Sequence, residues 1–283
     1  MGYARQSTMT GRAPGMSRVG PLLRDWRRRR RMSQLELALE ADVSPRHLSF
    51  VETGRSRPSA EMVLQLASHL DVPLRDRNQL LLAAGYAPLY GQRGLDDPDM
   101  GPVRDTLELV LRGHDPYPAM VVDRHWGMVM ANRAFGLLTE GVAADLLEPP
   151  ANVLRLALHP DGLATRIVNF AQLRTALLLW LGRQAVSTGD PALAALYEEL
   201  IELPGGESSP YELAVDEGVA VPLCIRWADQ VLSFISTITT FGRATDVTVA
   251  ELSIESFYPT NAVTTNALRA FAEPITGSSK LTE

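Results

Sequence analysis

Arg46, His47, Ser49 and Phe50 lie within one short stretch closed by Gly54, and their side chains suit the reading of a nucleic-acid surface. The forked guanidinium of Arg46 can bond guanine O6 and N7 together, or it can pair with a phosphate. The hydroxyl of Ser49 can reach a base edge or a phosphate. Phe50 can pack on a thymine methyl or against a neighbouring helix. Gln34, Thr53, Arg55 and Arg57 flank this group and suit phosphate contacts, which position a protein without specifying sequence.

The elements that must hold these residues are legible in Ser33–Pro58. Ser33 and Glu36 have the S-x-x-E spacing of a capping box, so a helix is expected from Gln34. Leu35, Ala38 and Leu39 recur at helical spacing, and Val43 plugs the turn that follows. Ser44 suits an N-cap, Pro45 the first helical position and Gly54 the stop. Leu48 and Val51 then face inward, leaving the polar group outside. A short capped helix with a polar outer face is the geometry that enters a major groove.

Around this pair, Val19, Leu22, Leu23 and Trp26 predict a first helix over about 17–31. It ends in five arginines, Arg27–Arg31, readable as a solvated face favoured by the helix dipole or as phosphate contacts. Ser59 can cap a fourth helix whose stripe is Met62, Leu66 and Leu70. A fifth begins near Pro73, carries Leu80, Leu81 and Leu82, and stops at Gly85.

The 283 residues carry a net charge of −6, unevenly spread. Residues 1–85 hold 14 Arg against 8 Asp and Glu, a net +6, whereas 86–283 hold 13 Lys and Arg against 25 acids, a net −12. A basic head on an acidic body is the signature of a chain that docks on DNA through the head alone. Cys224 is the single cysteine, so no intrachain disulfide is available, which fits a reducing cytoplasm. No apolar run is long enough for a membrane span. The histidines (His47, His69, His114, His125, His159) lack ligand partners at helical spacing, so no metal is expected. Phosphate-binding glycine motifs and the G-x-S-x-G nucleophile elbow are also missing, so neither a cofactor nor a catalytic residue is expected.

Beyond residue 101 the pattern changes. Met120–Val122 and Met128–Ala131 predict a β-hairpin followed by a helix from Asn132. A helical middle follows from about 152 to 203, with breaks near His159–Gly162 and Thr188–Pro191. Val219–Trp227, Val231–Thr240 and Val247–Tyr258 predict an antiparallel meander. In its middle strand Phe234, Ser236, Ile238 and Thr240 are expected on one face, with Leu232 among the residues of the other. An apolar pocket in such a domain would need a few orienting groups. Trp126, Asn132, Arg155 and His159 are the candidates, although His159, before Pro160 at a helix break, reads first as a capping or turn residue and only second as a pocket group.

The runs SQLELA, VSPRHLSFVETG, RSRPS and LLLAAGY resemble the Cro/phage-repressor-like helix-turn-helix family, often called the Xre family. That resemblance implies an all-α, five-helix, lambda-repressor-like domain. It also implies that Ser44, Arg46, His47, Ser49 and Phe50 are the residues offered to bases. The family pattern usually has a polar or basic residue where Phe50 stands. YPAMVVDRHWGMVMANRAFGLL, NVLRLALHP and TTFGRATDVTVAELSIESFYP resemble the ligand-binding domain of the MmyB-like regulators. That implies an α+β, PAS-like domain with an antiparallel sheet, serving ligand sensing and dimerisation.

The resulting organisation is a disordered tail at 1–16, a helix-turn-helix domain at 17–86, a linker at 87–101, the PAS-like domain at 102–273 and a tail at 274–283. The expectation is a cytoplasmic bacterial regulator, on the nucleoid when bound to DNA. It would bind double-stranded operator DNA as a homodimer, without a membrane, and answer to a small apolar or amphipathic ligand such as a fatty acyl compound. The alternative is a ligand-independent repressor whose second domain only dimerises or meets another protein.

Overall fold

The computed structural model describes residues 19–206 and 221–272. The tails expected at 1–16 and 274–283, and the start of the run expected from Val219, lie outside those residues. The chain divides into two compact units, Met1–Gly91 and Gln92–Glu283.

The first unit is helical: α1 (Val19–Arg29), α2 (Gln34–Glu40), α3 (Pro45–Glu52), α4 (Ala60–His69) and α5 (Leu74–Ala83). Side chains start three of these helices where the sequence places their caps. The Ser33 hydroxyl accepts the Glu36 N–H at 3.1 Å, and the Glu36 carboxylate accepts the Ser33 N–H at 2.6 Å. Ser44 and Ser59 accept the N–H groups of His47 and Met62 in the same way. Each cap satisfies a helix-start donor that would otherwise have no partner, which is worth about 1 kcal/mol.

The inner stripes differ in part from the expected ones. In α2 the inward residues are Leu37 and Ala38, with Ala41 just beyond, whereas Leu35 and Leu39 are 56% and 70% exposed. Residues 37, 38 and 41 share one side of a 3.6-residue helix, and 35 and 39 lie on the opposite side. Leu82 of α5 is likewise exposed, and Leu22 of α1 is partly so. The core is built from Leu23, Leu48, Leu66, Leu70, Leu80 and their neighbours.

Two features lock α3 onto α1. Gly20 lies so close to the end of α3 that a Cβ there would sit 2.4 Å from the Val51 carbonyl oxygen. Beside this contact the Glu52 side chain is fully buried and is met by three donors. Arg27 approaches it bidentately, at 2.7 Å and 2.9 Å, Gln34 of α2 donates at 2.7 Å and Arg24 at 3.4 Å. Burial pushes the Glu52 carboxyl up, but the bonds from Arg27, Gln34 and Arg24 and the charge of Arg27 outweigh it and hold the carboxyl below its ordinary value.

In the second unit a short turn at Pro98–Met100 leads into α6 (Gly101–Gly113). There follow β1 (Ala119–Val122), β2 (Met128–Ala131), α7 (Phe135–Thr139), α8 (Ala144–Leu147) and α9 (Val153–Leu158). A π-type turn at Pro160–Ala164 precedes α10 (Phe170–Thr188) and α11 (Pro191–Ile201). The chain closes with β3 (Leu223–Trp227), β4 (Gln230–Thr240), α12 (Val247–Ala250), β5 (Ser253–Pro259) and α13 (Ala262–Ala272).

The strands form one five-stranded sheet in the order β2-β1-β5-β4-β3, with every neighbouring pair antiparallel. β5 therefore joins the hairpin to the meander. Alternation along the strands separates two cores. Met120, Val122, Leu232, Phe234 and Phe257 pack against the helices of the middle segment. Ala119, Val121 and Ile254 pack with Leu107 and Leu111 of α6.

Three sequence readings are corrected here. Leu232 shares the buried face with Phe234, and the far end of β4, from Ile235 to Thr240, is exposed. The run expected as a strand from Val247 opens as a helical turn, because Asp246 caps Thr248, and extended structure begins only at Ser253. The helix expected from Asn132 starts at Phe135, since the Asn132 carboxamide oxygen accepts the Phe135 N–H at 3.2 Å.

Two substitutions test the α1–α3 lock, each read by chemical denaturation of the helical unit within the intact chain. Gly20→Ala is expected to destabilise the unit by about 1–3 kcal/mol. Helix propensity alone favours alanine by about 1 kcal/mol, so a gain in stability would contradict the close contact. Glu52→Ala is expected to cost about 3–5 kcal/mol, because it leaves Arg27 buried without its anion. With its carboxyl held low, Glu52 contributes stability that is complete above about pH 4.3 and lost as pH falls through the folded value. The acid limb of a stability–pH curve should therefore flatten in Glu52→Gln, and an unchanged limb would contradict this assignment.

Candidate nucleic-acid interface

The outer side of α3 carries residues 46, 49, 50 and 53 in one row, while Leu48, Val51 and Glu52 point inward. Ser44 and Arg46 are exposed, and His47, Ser49 and Phe50 are half-buried at the rim. The Ser44 oxygen is engaged as the helix cap. Arg46 makes no hydrogen bond or ion pair among the described residues, and its guanidinium carbon stands 5.4 Å from the Phe50 ring centre.

The four residues expected at phosphates divide into two kinds. Arg55 is exposed, its guanidinium 6.0 Å from the Phe50 ring centre, and is available to an incoming anion. The Thr53 hydroxyl donates to the Ser49 carbonyl at 2.7 Å, so its proton is already committed. Gln34 spends a donor on Glu52. Arg57 donates to the carbonyls of Ala84 and Gly85 at 2.9 Å and 3.1 Å and lies over Tyr86, closing the end of α5.

The arginine run divides similarly. Arg27 is turned inward to Glu52, and Arg30 donates to the carbonyls of Leu70 and Asp71 at the end of α4. Arg28, Arg29 and Arg31 are exposed. The structural role of Glu52 had a signal in the sequence, because 48, 51 and 52 have the i, i+3, i+4 spacing of one helix face. A carboxylate on a buried face requires a cation, and Arg27 has no comparable local mark.

In the sheet unit the four pocket candidates line neither of two open grooves there. Trp126 is buried, donates through Nε1 to Gln184 at 3.0 Å and meets Trp180 edge-on. Asn132 ties down both its neighbours: its oxygen accepts the Ala119 N–H, and its amide donates to the Tyr117 carbonyl and Asp115. Arg155 forms a bidentate pair with Glu199 at 2.5 Å and 2.7 Å, which bridges α9 and α11 at the surface. His159 accepts the Asp161 N–H and starts the π-type turn. Of the two open grooves, both beside Trp227, one of about 400 Å³ is also lined by Gln230, Val263, Asn266, Ala267 and Ala270. Glu140, Arg166, Arg226 and Ala228 line the other.

Two charged features here escaped the sequence reading. Asp190, at the start of α11, meets His125 at 2.9 Å and Arg124 at 3.1 Å, pinning the β1–β2 turn to the helical layer. Glu255 sits mid-sheet between Met120 and Ile238, and burial pushes its carboxyl up despite the Ser236 hydrogen bond. Among the described residues no group of side chains is arranged to hold a metal ion, and no helix is long and apolar enough to cross a membrane.

The comparisons with known proteins agree with this division. Residues 23–76 match the helix-turn-helix family model. Residues 103–271, more than half of the chain, match the MmyB-like transcription regulator ligand binding domain. Among solved structures, the clp gene regulator ClgR from Corynebacterium glutamicum is similar at 25% identity, over 36% of this chain and 94% of that one, with a TM-score of 0.22. No curated protein matches the chain. With a helix-turn-helix that presents an open arginine on its second helix and an α+β domain of this type, the chain belongs to the MmyB-like transcription regulators and is a DNA-binding protein.

Proposed function

We propose that this regulator is a one-component switch, in which a homodimer reads double-stranded operator DNA and a ligand in the sheet domain sets how well it does so. The observation that carries the DNA reading is the outward row of α3, where Arg46 stands exposed between two caps, with no hydrogen bond or ion pair among the described residues. Arg46 reads a base edge, Ser44, His47, Ser49 and Phe50 complete the groove surface, and Arg55 takes a phosphate. The other phosphate candidates act through the scaffold: Gln34 by fixing Glu52, Thr53 and Arg57 by closing helix ends. Two heads on a two-fold axis would meet half-sites about 10 bp apart.

The ligand reading is supported by the family description of the sheet domain and by its apolar interior between sheet and helices. A small apolar or amphipathic molecule, of which a fatty acyl compound is an example, suits that lining. Such a molecule shifts operator affinity only by binding one arrangement of the heads better than another. A ten-fold effect needs about 1.4 kcal/mol of difference. No residue is assigned a catalytic role, and the cytoplasm is the compartment this reading implies.

One observation favours a second reading, the ligand-independent repressor. Trp126, Asn132, Arg155 and His159 each have an internal hydrogen-bond partner and line neither open groove of the unit.

Two measurements follow. Arg46→Ala is expected to cost about 1–3 kcal/mol of operator binding and to relax selectivity at one base pair; a uniform loss across operator variants would make Arg46 a phosphate contact. Native mass spectrometry of the purified protein is expected to show a bound small molecule whose removal changes operator affinity about ten-fold. A body that stays empty, with unchanged affinity, would favour the second reading.

A further inference from the structure

Phe50 is an aromatic residue on the outward row of a groove-reading helix, and it is half-buried there. Its neighbours account for this. Arg46, one turn earlier on α3, and Arg55, in the loop beyond α3, both place their guanidinium groups over its ring, at 5.4 Å and 6.0 Å. The Phe50 carbonyl also accepts the backbone N–H groups of Arg55 at 2.8 Å and Ser56 at 3.1 Å. One residue thus lies under the head groups of the two exposed cations of α3 and its following loop, and also holds the backbone of that loop.

We propose that Phe50 is a positioning residue for DNA recognition: its ring holds Arg46 and Arg55 in the orientations in which one meets a base edge and the other a phosphate. This rests on the DNA reading above and changes the role of Phe50 within it, from a base contact to the support of two contacts.

The physical basis is preorganisation. A free arginine side chain loses much rotamer freedom when its fork is fixed on a base or phosphate. A guanidinium held over an aromatic ring, within about 6 Å of its centre, is attracted by the electron-rich face. Part of the ordering is then complete before DNA arrives, which strengthens binding without any new contact to DNA. An aliphatic side chain of similar size fills the same space but has no such face.

The test uses the intact protein, an operator selected from random duplexes, and the variants Phe50→Leu and Phe50→Tyr, alone and combined with Arg46→Ala. Phe50→Leu is expected to weaken binding about five-fold to thirty-fold, as expected for two exposed cation–π contacts. It should also relax selectivity at the base pair that Arg46 reads. Phe50→Tyr, which keeps the ring, should restore both. In the Arg46→Ala background the Phe50→Leu loss should shrink to the part carried by Arg55, visible as a weaker salt dependence.

A Phe50→Leu loss that is the same with and without Arg46 would overturn the proposal. So would a loss that disappears when one operator thymine is replaced by uracil, since the ring would then be packing on the thymine methyl. Failure of the wild-type chain to bind any duplex is a different result, because it would remove the DNA reading itself.

Discussion

A carboxylate that is fully buried, Glu52 at the end of α3, sets the geometry of the DNA-binding unit. It is reached from α1 by Arg27 and Arg24 and from α2 by Gln34, so one anion joins three helices. Such a group is costly to take out of water unless every lone pair is met, and here the donors converge on it. The consequence is directional. With Glu52 tied inward and Gly20 pressed on the Val51 carbonyl, α3 has one orientation, and its row of Arg46, Ser49 and Phe50 has one side left to face. Arg46 and Arg55 face outward, whereas Arg27, Arg30 and Arg57 are spent on holding the helices that present them.

The sheet unit is built on a different constraint. Placing β5 between β1 and β4 forces the hairpin and the meander into one sheet, so each face needs its own cover. Helices of the middle segment cover one face and α6 part of the other. Polar residues in this unit mostly hold turns and helix ends, as Asn132, Asp190 and His159 do. The charge split of +6 and −12 then has a simple meaning: the acidic body is repelled by the polyanion that the head approaches.

What was readable in the sequence was local. The capping box of Ser33 and Glu36, the caps at Ser44 and Ser59, and the inward Leu48 and Val51 follow from spacing alone, because a cap and its partner lie within one turn. Long-range partners were not readable. Nothing near Arg27 or Arg57 announces that Glu52 or the end of α5 lies across from it, so both read as free cations. Helix faces failed where the helix is short: in α2 the spacing of Leu35, Ala38 and Leu39 placed Ala38 correctly but chose two exposed leucines over the inward Leu37 and Ala41. The strand expected from Val247 failed for a related reason, since β-branched residues also fit a single helical turn once Asp246 caps it.

The central claim is that α3 reads sequence through Arg46 and its neighbours. The most direct measurement is selection of bound duplexes from a random pool by the intact protein at physiological salt. The account predicts enrichment of a two-fold symmetric site with half-sites about 10 bp apart. Binding without any enriched sequence, however tight, would reduce the head to a phosphate-binding surface and contradict it.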